Sequence, residues 1–333
     1  MDNEEGGRFL KSKRVRRENG EIAVKQKMSR KQVLVNMKKH WQLYALLALP
    51  MLYMLIFHYF PMYGAQIAFR DYNRLDGFWG SEWVGLDHFI RFFNSSMFSK
   101  LIINTLSISV YSIVVGAPFP IILALMLKYI PWPKYSKMVQ TVTYAPHFIS
   151  VVVMVGITVD VLNPRSGMIH NLLELIGIDY GANVMGIPEA FSSVFVWSGI
   201  WQTMGFSAVI YTAILAGVDV SLHEAATVDG ATIMQRIRYI DFPALVPQIT
   251  LSLILSVGSI LNVGFEKALL LQNSTNISKS EVIDTYVYKM GITASFPDVS
   301  YTTAIGLFKS VIALAMIVVV NKIAQKYGEM SLW

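Results

Sequence analysis

Residues 104–127 read Asn-Thr-Leu-Ser-Ile-Ser-Val-Tyr-Ser-Ile-Val-Val-Gly-Ala-Pro-Phe-Pro-Ile-Ile-Leu-Ala-Leu-Met-Leu, without a single Asp, Glu, Lys or Arg. A helix needs about 20 apolar residues to cross the hydrocarbon core of a bilayer, whereas a barrel strand needs only about 10. Helices and closed barrels are the structures that satisfy backbone polar groups in lipid. A stretch of this length therefore predicts a membrane-spanning helix.

Similar apolar stretches recur along the chain, which is 54% hydrophobic and 15% charged. Soluble domains carry about 25% charged residues, so this composition indicates an all-α membrane protein. The connections at 61–103, 162–189 and 267–302 are predicted to be loops, the first with a surface helix at 89–98. The six predicted transmembrane helices lie at 41–60, 104–127, 139–161, 190–216, 247–266 and 303–323.

Positive charge sets the predicted orientation, because the cytoplasmic loops of membrane proteins are enriched in Lys and Arg. Twelve of the 28 Lys and Arg residues lie in the first 39 residues, ahead of the first apolar stretch. With both termini in the cytoplasm, the inner segments hold 19 basic residues and the outer segments hold eight. We therefore expect a cytoplasmic basic tail at 1–40 and a transmembrane domain at 41–333, with a cytoplasmic loop at 217–246.

The net charge of +6 does not by itself indicate nucleic-acid binding. A basic tail beside a membrane helix is typical of a topology signal or of contact with anionic lipid, and no recognition motif accompanies it. We therefore expect membrane lipid, and no nucleic acid, among the partners. The chain has no cysteine and its six histidines are scattered, so we also expect no metal site. No cleavage site follows the first span closely, and we expect that span to be retained.

Local signals in the cytoplasmic loop predict two helices joined by a turn. The spacing of a capping box occurs twice, at Ser221–Glu224 and at Thr232–Gln235, so a helix can begin at each place. Between them, Gly230 can adopt the left-handed conformation that closes the first helix. Pro243 is expected to limit the second helix, because the residue before a proline is pushed out of the helical region.

The same loop carries the pattern Glu224-Ala225-Ala226-x-x-Asp229-Gly230-Ala231, followed by Ile240-x-Phe242-Pro243. This pattern resembles the EAA loop of ABC importer permeases, with Phe-Pro in place of the usual Leu-Pro. In that family the loop is cytoplasmic and forms a coupling helix that docks into a groove on the ATPase subunit. Taken alone, Glu224 is explained equally well as a capping partner of Ser221. The resemblance implies coupling roles for Glu224, Ala225, Ala226, Asp229, Gly230 and Pro243.

Two further segments resemble carbohydrate permeases of that family. Trp83-Val-Gly-Leu-Asp-His-Phe89 is similar to an outer-loop segment of the maltose and glycerol-phosphate type. Tyr144-Ala-Pro-His-Phe-Ile-Ser150 is similar to the start of the third span in oligosaccharide and polysaccharide relatives. The resemblance implies a type I ABC importer permease fold in the bacterial inner membrane. It also implies a second permease subunit and an extracytoplasmic solute-binding protein that delivers a sugar or oligosaccharide.

Motifs of enzymes are missing from the sequence. It contains no G-x-x-x-x-G-K-[S/T] pattern, which rules out the phosphate-binding loop of an ATPase, and no H-E-x-x-H or nucleophile elbow. We therefore expect a transport subunit that is not an enzyme and that holds no cofactor. The family resemblance implies that ATP and Mg bind to two partner ATPase subunits.

Polar and aromatic side chains within the predicted spans are candidates for a substrate path, because polar groups in a membrane are costly. Aromatic faces can stack on sugar rings, while amides and hydroxyls can bind sugar hydroxyls. Small polar residues and Trp also suit helix packing and membrane interfaces, and Lys309 could instead extend to the interface or pair with Glu266. The candidates are Trp197, Trp201, Gln202, Tyr211, Ser256, Ser259, Asn262 and Lys309.

Two other functions stay open at this point. A secondary transporter driven by an ion gradient predicts carboxylates inside the spans, whereas Asp160 and Glu266 lie at predicted span ends. No internal repeat is visible either, which disfavours a transporter built from two halves. A permease of the same family for a non-sugar solute, such as glycerol phosphate, would fit the same motifs.

Overall fold

The computed structural model describes residues 38–178, 181 and 183–327. Almost all of the predicted basic tail therefore lies outside the described residues. The chain divides into two compact units after Gly64, and the predicted division at residue 40 stays a prediction. In the first unit, α1 (Trp41–Met54) leads through a π-helical turn at Leu55–Tyr59 into α2 (Phe60–Met62). Its apolar side chains are exposed, as expected for a helix that faces lipid.

The next residues form a 3-10 helix at Tyr63–Phe69 and then a short hairpin. In the hairpin, β1 (Arg70–Asp71) pairs antiparallel with β2 (Glu82–Trp83), and α3 (Gly77–Gly80) lies between them. The predicted surface helix is shorter than expected and is partly buried. It is α4 (Asp87–Phe93), which ends because the Ser95 hydroxyl caps the following helix. Phe92 of α4 packs edge-on against Phe308, with ring centroids 5.6 Å apart.

The remaining helices of the second unit alternate between long spans and short connecting segments. Those before the loop at 217–246 are α5 (Ser96–Gly116), α6 (Pro118–Tyr129), α7 (Pro133–Tyr144), α8 (Val151–Val161), α9 (Met168–Leu175) and α10 (Phe191–Ala216). Those from the loop onward are α11 (Val220–Val228), α12 (Ile233–Arg236), α13 (Phe242–Gly258), α14 (Phe265–Leu271), α15 (Ile277–Ser280), α16 (Ile283–Tyr288) and α17 (Val299–Tyr327).

Within the described residues, five helical segments are long and apolar enough to cross a membrane. The predicted third span is not straight: Pro133–Phe148 and Val151–Val161 meet at an angle of 105°, and the count is six if they form one span. The bend falls at Ser150, which has extended backbone and whose hydroxyl accepts from the Val153 N–H at 3.3 Å. The five unbent segments are Trp41–Phe69, Ser96–Tyr129, Pro188–Ala216, Ile233–Gly258 and Val299–Lys326.

The boundaries of the fifth span were predicted wrongly. Its helix begins before residue 247 and ends at Gly258, where the chain leaves helical geometry. The predicted loop at 267–302 also contains α14, α15 and α16. These short helices form because their apolar side chains, such as Leu271, Val282 and Ile283, are buried in the core. Sequence periodicity is weak in helices this short, so the loop prediction missed them.

The long helices of the second unit pack closely. Helix α10 lies along α6 and α5, and α13 lies along α17. Helix α10 also contacts α7 at Gly205, where an added Cβ would lie only 2.0 Å from the backbone oxygen of Thr143. Small residues let membrane helices approach this closely, and van der Waals packing then stabilises the pair. Gly205 is therefore a contact point between the fourth span and α7.

Gly205→Ala should destabilise the protein by about 1–3 kcal/mol, because the methyl group would collide with rigid backbone. Thermal unfolding of the detergent-purified protein measures the effect. Gly306→Ala is the matched control, since Gly306 also lies in a long helix but has open space around it. Equal melting temperatures for the two variants would contradict the close contact.

Candidate functional site

The loop at 217–246 folds as the predicted pair of helices joined at Gly230. Gly230 has φ +78°, a backbone conformation that side chains with a Cβ adopt only at a cost. The Ala231 N–H donates to the Ala226 carbonyl at 2.8 Å, which closes the end of α11. At the start of α12, Thr232 and Gln235 form the predicted capping box. The turn is therefore fixed on both sides by local hydrogen bonds.

The start of α11 differs from the prediction. The helix begins at Val220, and the Asp219 carboxylate caps it by accepting from the Ser221 N–H at 2.9 Å. This hydrogen bond to the charged form lowers the pKa of Asp219. Ser221 is therefore not the capping residue, and Glu224 is left exposed on the helix surface. The carboxylate two residues earlier outcompetes the hydroxyl because it is the stronger acceptor.

Pro243 does not limit the second helix, contrary to the prediction. The helix widens into a π-helical turn at Ile237–Asp241 and continues as α13, with Pro243 in its first turn. In an α-helix a proline ring clashes with the carbonyl four residues earlier. The wider turn moves that carbonyl away, so the chain runs without a break from the loop into the fifth span.

Apart from contacts of His223 and Thr227, most of the surface of α11 is exposed among the described residues. None of the residues of this helix is buried, and Val228 is 87% exposed. Of the predicted coupling residues, Glu224, Ala225, Asp229 and Gly230 are exposed and Ala226 is partly buried. Pro243 is also exposed but lies beyond the π-helical turn. Exposed apolar side chains on a rigid helix are typical of a docking surface.

A fully buried carboxylate, Asp241, ties this loop to the spans. Its oxygens lie 2.5 Å from Lys128 Nζ, 2.6 Å from the donating Tyr129 hydroxyl and 3.2 Å from His223 Nε2. Lys128 and Tyr129 end the second span, His223 belongs to α11, and Asp241 begins the fifth span. A buried charge is stable only when it is paired and hydrogen-bonded, so these three elements are held together. We call these four residues the Asp241 cluster.

Sequence reasoning missed the Asp241 cluster. Asp241 had been placed in the predicted loop at 217–246 without a role, and Lys128 had been counted only among the basic residues that set the orientation. Lys128 and Asp241 are 113 residues apart, and no local pattern relates them. The available signal was the position of both residues at the edges of apolar stretches, where an unpaired charge would be costly.

A cavity of about 870 Å³ lies between the second, fourth and fifth spans. Its wall is mainly apolar but carries several hydroxyl and amide groups. The Gln202 amide also donates to the Ile149 carbonyl at 3.0 Å, next to the bend in the third span. Five of the predicted path residues line this cavity, namely Gln202, Tyr211, Ser256, Ser259 and Asn262.

The other three predicted path residues do not line the cavity. Trp197 donates from its indole to the Tyr111 hydroxyl at 3.2 Å, and its ring and that of Trp201 are about half exposed on α10. Of the three aromatic candidates, Tyr211 alone lines the cavity. Lys309 forms an ion pair with Asp284 of α16 instead of with Glu266. This pair satisfies Lys309 outside the cavity.

One residue that sequence reasoning passed over does line the cavity. Lys267 of α14 places its Nζ 2.5 Å from the Phe195 carbonyl and 4.4 Å from the centroid of the Phe195 ring. Burial lowers the pKa of Lys267 to about 8, because desolvation disfavours the ammonium. It had been counted as an outer-loop charge, and only the folding of α14 against α10 brings it inward.

Comparisons with known proteins relate this geometry to transport. No family model matches the chain. YteP of Bacillus subtilis (strain 168), a polygalacturonan/rhamnogalacturonan transport system permease protein, is 38% identical over 92% of this chain and 95% of its own length.

Two solved structures match 89% of this chain. The first is a bacterial ABC transporter involved in the import of the acidic polysaccharide alginate, with a TM-score of 0.80, 38% identity and 99% of that chain covered. The second is a bacterial alginate ABC transporter in complex with an alginate pentasaccharide-bound periplasmic protein. It has a TM-score of 0.81, 37% identity and 98% of that chain covered.

Asp241→Asn should destabilise the protein by about 3 kcal/mol, because Lys128 loses its counter-ion in a place where water compensates poorly. The melting temperature of the detergent-purified protein measures this loss. The double variant Lys128→Met with Asp241→Leu removes both charges and should recover most of the stability. An unchanged melting temperature in Asp241→Asn would show that the Asp241 cluster does not hold these elements together.

Proposed function

The chain belongs to the family of ABC importer permeases, and from that premise we propose that it passes a sugar or oligosaccharide across the membrane. The observation that carries the proposal is the helix-turn-helix of the cytoplasmic loop, anchored to two spans through the buried carboxylate of Asp241. Membership in this family sets aside the alternative of an ion-gradient-driven transporter. A non-sugar solute stays as the second candidate within the family.

Coupling to ATP hydrolysis is assigned to α11. The exposed face of α11, which carries Glu224 and Ala225, docks into a groove on an ATPase subunit. The small alanine side chains permit close approach of the two backbones. A movement of α11 is passed on through His223 and Asp241 to the inner ends of the second and fifth spans. Two distant sites are coupled when both shift the equilibrium of one rigid element between two arrangements. Two partner ATPase subunits bind ATP and Mg and supply the energy.

The cavity is the proposed substrate path, completed by a second permease subunit. Tyr211 offers an aromatic face, and Gln202, Ser256, Ser259 and Asn262 offer hydrogen bonds that suit sugar hydroxyls. Its volume of about 870 Å³ is in the range of pockets that hold small molecules, which run from about 300 to 1,000 Å³. Such a volume accommodates a few sugar rings at a time.

An extracytoplasmic binding protein is the proposed source of the substrate. Two observations on similar proteins support this: the name of YteP refers to polygalacturonan and rhamnogalacturonan, and the alginate transporter was solved with a saccharide-bound periplasmic protein. We place the chain in the bacterial inner membrane as a multi-pass protein, with both termini in the cytoplasm. The charge bias of 19 to eight basic residues supports this orientation.

Cysteine accessibility tests the orientation, since the chain has no cysteine of its own. A cysteine at Val228 should resist a membrane-impermeant maleimide in intact cells and react after the cells are permeabilised. A cysteine at Leu75, which is 92% exposed in the predicted outer loop, is the matched control and should react in intact cells. The reverse pattern would invert the proposed topology.

Damage to the turn should separate ATP hydrolysis from transport. Gly230→Val places a β-branched residue at φ +78°, which costs about 1–2 kcal/mol and should misdirect α12. An added Cβ meets nothing within 4 Å, so the effect comes from the backbone alone. We expect uptake to fall at least about tenfold, with weakened ATPase association or uncoupled hydrolysis, while membrane insertion is unchanged.

Gly230→Asn is the matched control, because Asn tolerates left-handed geometry better than Val does, and it should retain most uptake. Glu224→Lys tests the docking face separately, since Asp219 and not Glu224 caps the helix. It should weaken ATPase association, whereas Glu224→Gln should have a smaller effect. If Gly230→Val and Glu224→Lys both assemble and transport normally, the coupling assignment is wrong.

A further inference from the structure

Several basic side chains near the spans of this protein have carboxylate partners, whereas the partly buried Lys267 has none among the described residues. Arg91, Lys100, Lys128, Lys289 and Lys309 each form an ion pair with an Asp or Glu. In the described part of the chain, no ion pair joins Lys267 to any carboxylate. A cation that is removed from water is stable only when an opposite charge or hydrogen bonds compensate for the lost water. The described part of the chain supplies no anion for Lys267.

The position of the Lys267 ammonium is fixed by its surroundings. Its Nζ lies against the Phe195 carbonyl at 2.5 Å and over the Phe195 ring. A Cβ added at Gly199 would lie 2.9 Å from Nζ, so a glycine at that position leaves room for the ammonium beside α10. An ammonium has three N–H donors, and the carbonyl accepts from one of them. Two donors therefore remain for a ligand in the cavity.

The rest of the cavity wall indicates what kind of anion fits. Among the described residues that line it, Lys267 is the one charged side chain. The others that can hydrogen-bond are neutral hydroxyls and amides, which suit a ligand rich in hydroxyl groups. A phosphate or sulfate ester would favour several cationic or backbone N–H donors, whereas a single carboxylate is matched by one ammonium. The polar groups are Lys267, Ser109, Ser112, Gln202, Thr203, Ser207, Tyr211, Gln248, Ser252, Ser256, Ser259 and Asn262.

We propose that Lys267 binds the carboxylate of an acidic saccharide during its passage, so that the substrate is built from uronic acid residues. This inference rests on the proposed function as a saccharide permease. With a pKa of about 8 the ammonium is still mostly protonated at neutral pH, and a bound carboxylate would stabilise it further. Lys267 then determines substrate specificity within the path, and the substrate supplies its carboxylate partner.

The test uses the complete importer in proteoliposomes, with one binding protein throughout. The probes are trigalacturonate and its neutral methyl ester, which share the same sugar backbone. The variants are Lys267→Met, which keeps the length of the side chain and removes the charge, and Lys267→Arg, which keeps the charge. Only complexes that retain their ATPase subunits are compared.

In the wild type we expect trigalacturonate to be carried in preference to its ester. Lys267→Met should lower trigalacturonate uptake by about tenfold or more, as expected for one lost charge-assisted hydrogen bond. Lys267→Met should change uptake of the methyl ester by less than about twofold. Lys267→Arg should retain most of the preference for trigalacturonate over the ester.

Three results would overturn the inference while leaving a saccharide permease in place. In the first, the wild type carries only the ester. In the second, Lys267→Met takes up trigalacturonate as fast as the wild type does. In the third, Lys267→Met loses uptake of both probes to the same extent. If the wild type carries neither these probes nor neutral oligosaccharides of similar length, the proposed function fails and the inference fails with it.

Discussion

The buried carboxylate of Asp241 is the constraint on which this end of the structure depends. Its three partners come from the end of the second span and from the loop at 217–246, and Asp241 itself starts the fifth span. If one of these elements moved without the others, the buried Asp241 carboxylate would lose a partner in a place that water does not reach. That penalty is several kcal/mol, so the three elements behave as one body.

The rigidity of the Asp241 cluster extends to the cavity, because the cluster joins two of the helices that form the cavity walls. The second and fifth spans that end at the Asp241 cluster also form two walls of the cavity, with α10 as the third. The π-helical turn at Ile237–Asp241 keeps the helix continuous past Pro243, so a displacement of α11 reaches α13 without an intervening flexible joint. Lys267, which has no carboxylate partner among the described residues, lines the same cavity as Ser259 and Asn262. Movement of these walls thus changes the surroundings of the residues proposed to hold the substrate.

Local signals allowed much of this protein to be predicted from its sequence. Apolar stretches identified the spans, and the left-handed Gly230 and the Thr232–Gln235 capping box depend only on neighbours in the chain. Predictions failed where distant residues decide the outcome. Asp219 outcompeted Ser221 as a cap, and Pro243 was accommodated by a wider turn. Asp241 and Lys267 found partners 113 and 72 residues away, which no periodicity encodes.

Because the Asp241 cluster joins them, α11 and the end of the second span that carries Lys128 are expected to move together. Spin labels on cysteines at Val228 and Met126, both exposed, report the distance between them in the assembled importer. Double electron–electron resonance should give the same narrow distance distribution with and without bound ATP. The Asp241→Asn variant should broaden that distribution. A wild-type distance that changes between the two nucleotide states would show that the loop moves independently of the span and would contradict this account.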